Sequence, residues 1–580
     1  MKRRNTRGAL AGIVNSTQQS AEDESEVGFD SGSDNDKYLD SVSDSDNDNS
    51  GSVSNEEDEN NDNNEWVMED DEGFPQFPNI PRFNGPPFEP KTNNSKKIFN
   101  ISNPQSYSPL QWFLEYLSEE FWQKIVDFTN YQVVDDEWED LTLSELWIFL
   151  ALLFLRALKQ PPSYRDLWST NWKYYCEKLH TLTMTRRRFE LIRKYIKFNC
   201  GLEDEDDSYW RVRVILNELK TNCERIVKPS QNLSLDEMSP SYRGRTRLTV
   251  SMKGKKSKKH FNIRAITLPN GTLYTFYLQR EKITIIDNPD YAKLSKTSQS
   301  VVQLVSSLPL NWHHIFVDNL YSNVELFKYL YVHCKTISSG TWRTNNGVPD
   351  CLKLKKSTSK SFLESQETER SIAAINCSQD SSSLVVTGCS FYGTKGKHVH
   401  FLTTGRYDWD FVTGGNKQKT KLDAIHKYNA LMHGNDILDS VLSKYSVYFR
   451  SNRWTMRIAS WVIDVAVANG FINATYLGIK RNTDCLHAAW IGTLIDELIN
   501  KSNVQFKLPT APNSNLEDRL NKEHPHFPQH VGEENLRKMC VVCYKQHGKP
   551  RRSFYKCKHC GVGLCVDNDC FEKYHTQQDY

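Results

Sequence analysis

Residues 231–278 read QNLSLDEMSPSYRGRTRLTVSMKGKKSKKHFNIRAITLPNGTLYTFYL, and here the chain changes from a helical to an extended period. Leu233 and Leu235 alternate with Ser234 up to Asp236, the two-residue repeat of a strand. Phe261–Thr267 and Leu273–Leu278 are β-rich, and Asn270-Gly271 between them predicts a type I′ hairpin. Downstream, Tyr291–Leu308 is helical in pattern and His314–Val317 is a short apolar strand followed by Asp318. Ser322-Asn-Val-Glu325 has the form of a capping box opening a helix through Leu330.

Strand, strand, strand, helix, strand, helix is the opening of an α/β RNase H-like layout, a mixed sheet with helices packed on it. The expected catalytic domain covers 231–343 and 426–500, with an insertion domain at 344–425 that carries short strands at Ser383–Val386 and His398–Thr403. Upstream, 108–230 is a helical domain. Thr142-Leu-Ser-Glu145 caps the apolar run Leu146–Leu155, which reads as a core helix. After Thr185, the stripe Phe189, Ile192, Tyr195, Ile196 faces inward and leaves Arg186–Arg188, Arg193, Lys194 and Lys197 outside, as a solvated face or a DNA contact. Further out lie an acidic tail (1–73), a Pro-rich linker (74–107), a polar linker (501–535) and a cysteine-rich end (536–580).

The net charge of +1 over 580 residues hides a split. Residues 21–72 carry a balance of −20, whereas 73–580 carry +17. An acidic tail on a basic body suits a protein that handles nucleic acid. With few aliphatics, the tail reads as disordered. The longest apolar run has ten residues, against about 20 for a bilayer span. No membrane partner is expected, and the N-terminus does not read as a signal peptide. The 14 Cys therefore belong in a reducing compartment.

Asp236 and Asp318 each end a short strand, where ligands gather in open α/β sheets. Asp436 and Asp439 stand three apart near a helix start and share a face. Carboxylates gathered at one point repel, and divalent cations neutralise them. All-oxygen ligands suit Mg²⁺ or Mn²⁺, and a two-ion site activates an attacking oxygen and stabilises the leaving one at a phosphodiester.

Residues 243–259 hold eight Lys/Arg directly after Asp236. Arg243, Arg245, Arg247, Lys253, Lys255 and Lys256 are candidate DNA-backbone contacts, with a solvated hairpin or a nuclear import signal as the other readings. Arg453 is a further candidate for phosphate. The tail carries Cys540-x2-Cys543, Cys557-x2-Cys560, Cys565, Cys570 and His575, seven ligands where two tetrahedral Zn²⁺ sites need eight. His547, His559 and Asp567 are candidates for the eighth.

These stretches together resemble the piggyBac-family transposases over about residues 100–580. The matching motifs are Asp236-Glu237 with Tyr242-Arg243-Gly244-Arg245, Phe316-Val317-Asp318-Asn319, Gly340-Thr-Trp-Arg343, Tyr428-Asn429 with Gly434-Asn-Asp436-Ile-Leu-Asp439, and Ser451-Asn-Arg-Trp454. Phe128-Thr129-Asn130-Tyr131 and Trp147–Leu155 resemble the family's helical region. The resemblance implies a catalytic triad of Asp236, Asp318 and Asp436, with Asp439 as the extra acid beside it. Asn435 departs from the pattern, standing where a hydrophobic residue is usual. The implied activity is a DDE/D-type DNA transposase that nicks transposon ends, forms hairpinned ends and joins them to TTAA targets. Its implied partners are double-stranded DNA with terminal inverted repeats and a second copy of the chain, and its implied place is the nucleus. The cysteine-rich end resembles the family's closing domain, which reads end DNA or chromatin. A host-adopted DNA- or chromatin-binding protein, or a RING-like interaction module, are the other functional readings.

Overall fold

The computed structural model describes residues 67–68, 98–169, 184–201, 203–251, 259–353, 370–376, 384–392, 398–407, 411–413, 420–478, 486–502, 520, 526–532, 538–547 and 551–577. Its first layer is helical: α1 (Pro109–Tyr116), α2 (Glu119–Gln132), α3 (Leu143–Lys159), α4 (Arg186–Tyr195) and α5 (Arg213–Ile226). The capping box of α3 forms as the sequence predicts. The Glu145 N–H donates to Thr142 Oγ1 at 3.1 Å, and the Thr142 N–H donates to Glu145 Oε2 at 3.3 Å. Such a cap stabilises a helix by about 1 kcal/mol. Every residue from Leu146 to Leu155 is buried, so α3 is a core helix, with Trp112 of α1 and Trp122 of α2 fully enclosed near it.

The sheet holds β1 (Val67–Met68), β2 (Asn232–Met238), β3 (Ile263–Thr267), β4 (Leu273–Leu278), β5 (His314–Val317), β6 (Ile337–Trp342), β7 (Arg370–Asn376), β8 (Val385–Tyr392) and β9 (His398–Thr403). Across the sheet the order is β1-β7-β8-β9-β6-β5-β2-β3-β4. The segment β6-β5-β2-β3-β4 is the RNase H-like half, with β2–β5 and β5–β6 parallel and β2–β3–β4 antiparallel. Helices α6 (Lys296–Val305) and α7 (Val324–Val332) pack on it. Then follow α8 (Asp423–Leu431), α9 (Gly434–Lys444), α10 (Trp454–Tyr476) and α11 (Leu486–Lys501). The long α10 is apolar enough to cross a bilayer, but it is buried in the fold. Its Asn469 and Asn473 hold the β4 hairpin: Asn469 Oδ1 accepts from the Leu273 N–H at 2.9 Å, and Asn473 Oδ1 accepts from Thr272 Oγ1 at 2.7 Å.

Four local expectations change. The β3–β4 turn centres on Pro269-Asn270, closed by the Gly271 N–H to the Leu268 carbonyl at 2.9 Å. Gly271 alone takes a positive φ, +92°, with a register shift at Ile266/Thr267. This is a proline-initiated turn with a glycine bulge, because Pro at the first central position excludes the positive φ a type I′ turn needs. The cap of α7 is Asn323, whose Oδ1 accepts the Leu326 N–H at 2.8 Å, one residue later than expected. The described strands of 344–425 extend the same sheet, β9 pairing antiparallel with β6. Within the acidic tail, Val67–Met68 pairs antiparallel with Ala373–Ala374 on the edge strand β7, since an apolar step covers an otherwise open row of backbone groups. The rest of the tail and linker up to residue 97 lies outside the described residues.

Candidate active site

In the β2–β5 register Leu235 lies opposite Val317, so Asp236 and Asp318 follow on adjacent parallel strands, about 4.8 Å apart in the sheet. Strand β5 ends before Asp318, but β2 runs two residues past Asp236 to Met238 because it still pairs with β3, Asp236 facing Ala265. Asp236 is thus exposed to chemistry where its neighbour strand stops, not where its own does.

The third carboxylate arrives on α9. A Cβ on Gly434 would stand 2.3 Å from Thr267 Oγ1 and 2.5 Å from the Leu268 carbonyl oxygen, so only glycine allows this approach. Asn435 is buried, and its Nδ2 donates to the Ala265 carbonyl at 3.2 Å. Ser234 Oγ donates to the Met432 carbonyl just before the helix. Asn435, the departure from the family pattern, therefore works as a polar anchor between α9 and β3.

Asp236, Asp318 and Asp436 meet electrostatically. Burial, opposed by the Glu237 N–H at 2.7 Å and helped by the charges of Asp318 and Asp436, pushes the Asp236 carboxyl up to about 7. Burial also raises Asp318, with Glu237 and Asp436 adding to it and the Asn319 N–H and Arg343 opposing. Asp436 is half exposed and bonds His433 Nδ1 at 3.0 Å. Asp439 lies exposed one turn further along α9 and is not among the leading charges on Asp236. Among the described residues the carboxylates do not form a set with all oxygens within 4.8 Å of one another, as the Cys/His groups do. An all-oxygen donor set, with Asp236 and Asp318 raised by burial and by neighbouring acids, fits a hard divalent cation.

Sequence reasoning missed the surrounding polar frame. Glu237 accepts from Asn262 Nδ2 at 2.8 Å and lies opposite buried Arg264. Arg343 Nε donates to Asn319 Oδ1 at 2.9 Å, which places a cation beside Asp318. Arg343 stood in a quoted motif and was findable; Arg264, within an ordinary strand, gave no signal.

The cysteine-rich end closes into two donor sets, Cys540/Cys543/Cys565/Cys570 and His526/Cys557/Cys560/His575. Cys543 Sγ lies 3.8 Å from Cys565 Sγ and 3.5 Å from Cys570 Sγ. His526 Nδ1 lies 3.6 and 3.4 Å from the sulfurs of Cys557 and Cys560. Zn–S bonds of about 2.3 Å in a tetrahedron put sulfurs roughly 3.8 Å apart, so both sets fit zinc. His575 Nδ1 bonds the Phe571 carbonyl at 2.7 Å, leaving Nε2 toward Cys560. The eighth donor is His526, from the stretch read as linker, rather than His547, His559 or Asp567. The two sets interleave along the chain, a cross-brace.

Of the basic candidates, Arg243, Arg245 and Arg247 are exposed, and no ion pair involves them among the described residues. Lys253, Lys255 and Lys256 lie outside the described residues. Arg453 is corrected: it donates to the carbonyls of Arg193, Lys194 and Ile196 at 3.1, 2.7 and 2.7 Å, closing the C-terminus of α4. The outer face of α4 is largely neutralised too, with Arg186 on Glu190, Arg187 on Glu137, Arg188 on Glu145 and Lys194 on Asp135.

A family model described as Transposase IS4 matches residues 108–471. The human PiggyBac transposable element-derived protein 3 is 22% identical over 479 residues, covering 80% of this chain and 75% of that protein. The cryo-EM structure of a piggyBac transposase synaptic complex with hairpin DNA superposes with a TM-score of 0.59 at 19% identity, covering 81% of this chain and 99% of that one. That last likeness is one of fold.

Proposed function

Because the chain belongs to the piggyBac-family transposases, matched by the Transposase IS4 family model over 108–471, we propose that it cuts and joins DNA ends by in-line phosphoryl transfer at Asp236, Asp318 and Asp436. The observation that carries this reading is the electrostatic meeting of three acids from β2, the end of β5 and the start of α9. Divalent cations of the Mg²⁺ or Mn²⁺ kind, held by these acids with Asp439 beside them, would activate the attacking oxygen and stabilise the leaving one.

The chain's own residues do the positioning. Gly434 and Asn435 hold α9 against β3, so Asp436 stays aimed at the sheet. Arg343, tied to Asn319, offers a fixed positive charge beside Asp318 for a developing phosphorane. Arg243, Arg245 and Arg247 follow β2 and are free to meet the backbone of duplex DNA. The finer reading is that the same site nicks each transposon end, forms and opens a hairpin, and joins the freed 3′-hydroxyl at TTAA. It would act as a homodimer holding two ends, in the nucleus, with the zinc-bearing end reading terminal-repeat DNA.

The test is a Mg²⁺-dependent nicking assay on DNA from the flanks of the gene. Asp236→Ala and Asp318→Ala should each abolish cleavage; retained cleavage in either would sink the assignment.

A further inference from the structure

Where the helical layer meets the start of α10 there is a cavity of about 400 Å³. None of the catalytic carboxylates lines it. Its walls are Gln132 at the end of α2, the 197–201 segment after α4, Trp210 and Arg211 before α5, and residues 452–455 opening α10. The charged residues in the lining are Lys197, Arg211 and Arg453, and no Asp or Glu is among them.

Three further observations give this cavity its sign. Four of the five cations of α4 pair with an acid, and Arg193 donates to the Arg450 carbonyl at 2.7 Å, but among the described residues neither Lys197 nor Arg211 forms an ion pair. Burial, together with Arg453 and Arg211, holds the Lys197 ammonium below its usual range, so like charges are crowded with no acid among the described lining residues to offset them. Asn199, 7% exposed, adds a buried side-chain amide to the residues of this lining. The first turn of the 23-residue α10 also lacks a side-chain cap, and such a turn presents N–H groups to an anion. Flat apolar walls come from the indoles of Trp210, which carries the Arg211 guanidinium 4.4 Å from its centre, and Trp454.

We propose that this cavity is a phosphate pocket that takes one nucleotide unit of the bound DNA strand. Lys197 and Arg211 supply the charge, Asn199 and the α10 N-terminus supply hydrogen bonds, and the two indoles face the sugar and base. The inference rests on the DNA reading above and goes beyond it. It assigns a strand contact away from the carboxylates, at the joint between the helical layer and α10, whose start follows the loop that leaves the catalytic helix α9. Arg453 serves indirectly, since it is committed to the end of α4 and contributes its field.

The experiment uses the full, zinc-loaded chain and a fluorescent generic duplex, with anisotropy read across a salt series. The variant K197Q/R211Q should bind about tenfold more weakly near physiological salt, and its log–log salt slope should fall by about 0.9, the value of one lost phosphate contact. Its melting temperature should match the parent, since neither side chain holds another element in place. Asn452→Asp, which puts a carboxylate into the lining, should weaken binding in the same direction and guards against a folding artefact. Unchanged affinity and slope in both variants would overturn the pocket while leaving the DNA reading standing. If the parent chain binds no duplex at all, the DNA reading fails, and titration with dAMP followed by tryptophan fluorescence decides the pocket. A response lost in K197Q/R211Q supports a free-nucleotide site; no response in the parent overturns it.

Discussion

At the C-terminal end, sulfur and nitrogen donors gather within 4.8 Å of one another in two interleaved sets, whereas the three carboxylates over the sheet form no set that close among the described residues, with Asp236 pushed up to about 7. Thiols and neutral imidazoles can pack together before a metal arrives; carboxylates cannot do so without protonation or a counter-charge. The scaffolds differ in the same sense. The acids ride on a sheet and helices that share one continuous core, while the cysteine-rich end has little core of its own beyond Val542, Val562, Leu564, Tyr574 and the ligands themselves. On the proposed reading, metal would serve chemistry in the first region and folding in the second.

The sharpest way to break that contrast is Asp236→Asn. Cation-dependent strand cleavage should fall by about a thousandfold or more, and the main thermal transition in metal-free buffer should stay put or rise, since a buried, mutually repelling carboxyl is removed. A variant that unfolds would show that the carboxylate is structural and the contrast mistaken.

Next in size is zinc removal. The parent should hold about two zinc ions per chain, and chelation or Cys543→Ser should open residues 526–577 to protease while the main transition is unmoved, because structural zinc supplies most of the folding free energy of such small units, about 10 kcal/mol or more. His526→Ala should cost one zinc by metal analysis, and His559→Ala none. A chelator that lowers the main transition as well would mean the two regions fold as one.

How much of this was legible differs between the regions for physical reasons. Cys-x2-Cys pairs are local, so the thiol donors could be read from spacing, but His526, 14 residues before Cys540, is one of three histidines in 524–530, and only the fold brings it to Cys557 and Cys560. The RNase H-like strand order followed from periodicity, yet the strands of 370–403 were taken for a separate insertion because pairing partners across a sheet leave no mark on the strand itself. Asp318 was readable as an acid at a strand end, whereas Asp236 was picked out on the same ground although its own strand runs on to Met238. Arg453 misled, because an arginine reaching helix carbonyls and one reaching phosphate look alike in sequence.

A smaller effect sharpens the positional side of the contrast. Gly434→Ala would push α9 from Thr267 and the Leu268 carbonyl, moving Asp436 relative to two acids that stay fixed on the sheet. Cleavage should drop about 10- to 100-fold, with zinc content unchanged; parental cleavage would show that α9 tolerates the shift and that the site is less demanding than its packing implies.

The smallest effect separates burial from like-charge repulsion. Asp464 in α10 is buried, yet it accepts from Ser446 Oγ at 2.6 Å and the Val447 N–H at 2.8 Å and has Arg457 and Arg156 nearby. Burial still outweighs these and pushes it up to about 7. An acid raised on folding binds a proton in the native state that the unfolded chain has released, so its contribution to stability is complete below about pH 4 and declines as pH rises toward 7. Asp464→Asn removes that decline. The melting temperature of the variant, compared with the parent at constant Mg²⁺, should gain a few degrees between pH 5 and 7.5. Parallel curves would mean that the arginines already hold Asp464 ionised, and that the elevation of Asp236 owes more to Asp318 and Asp436 than to enclosure.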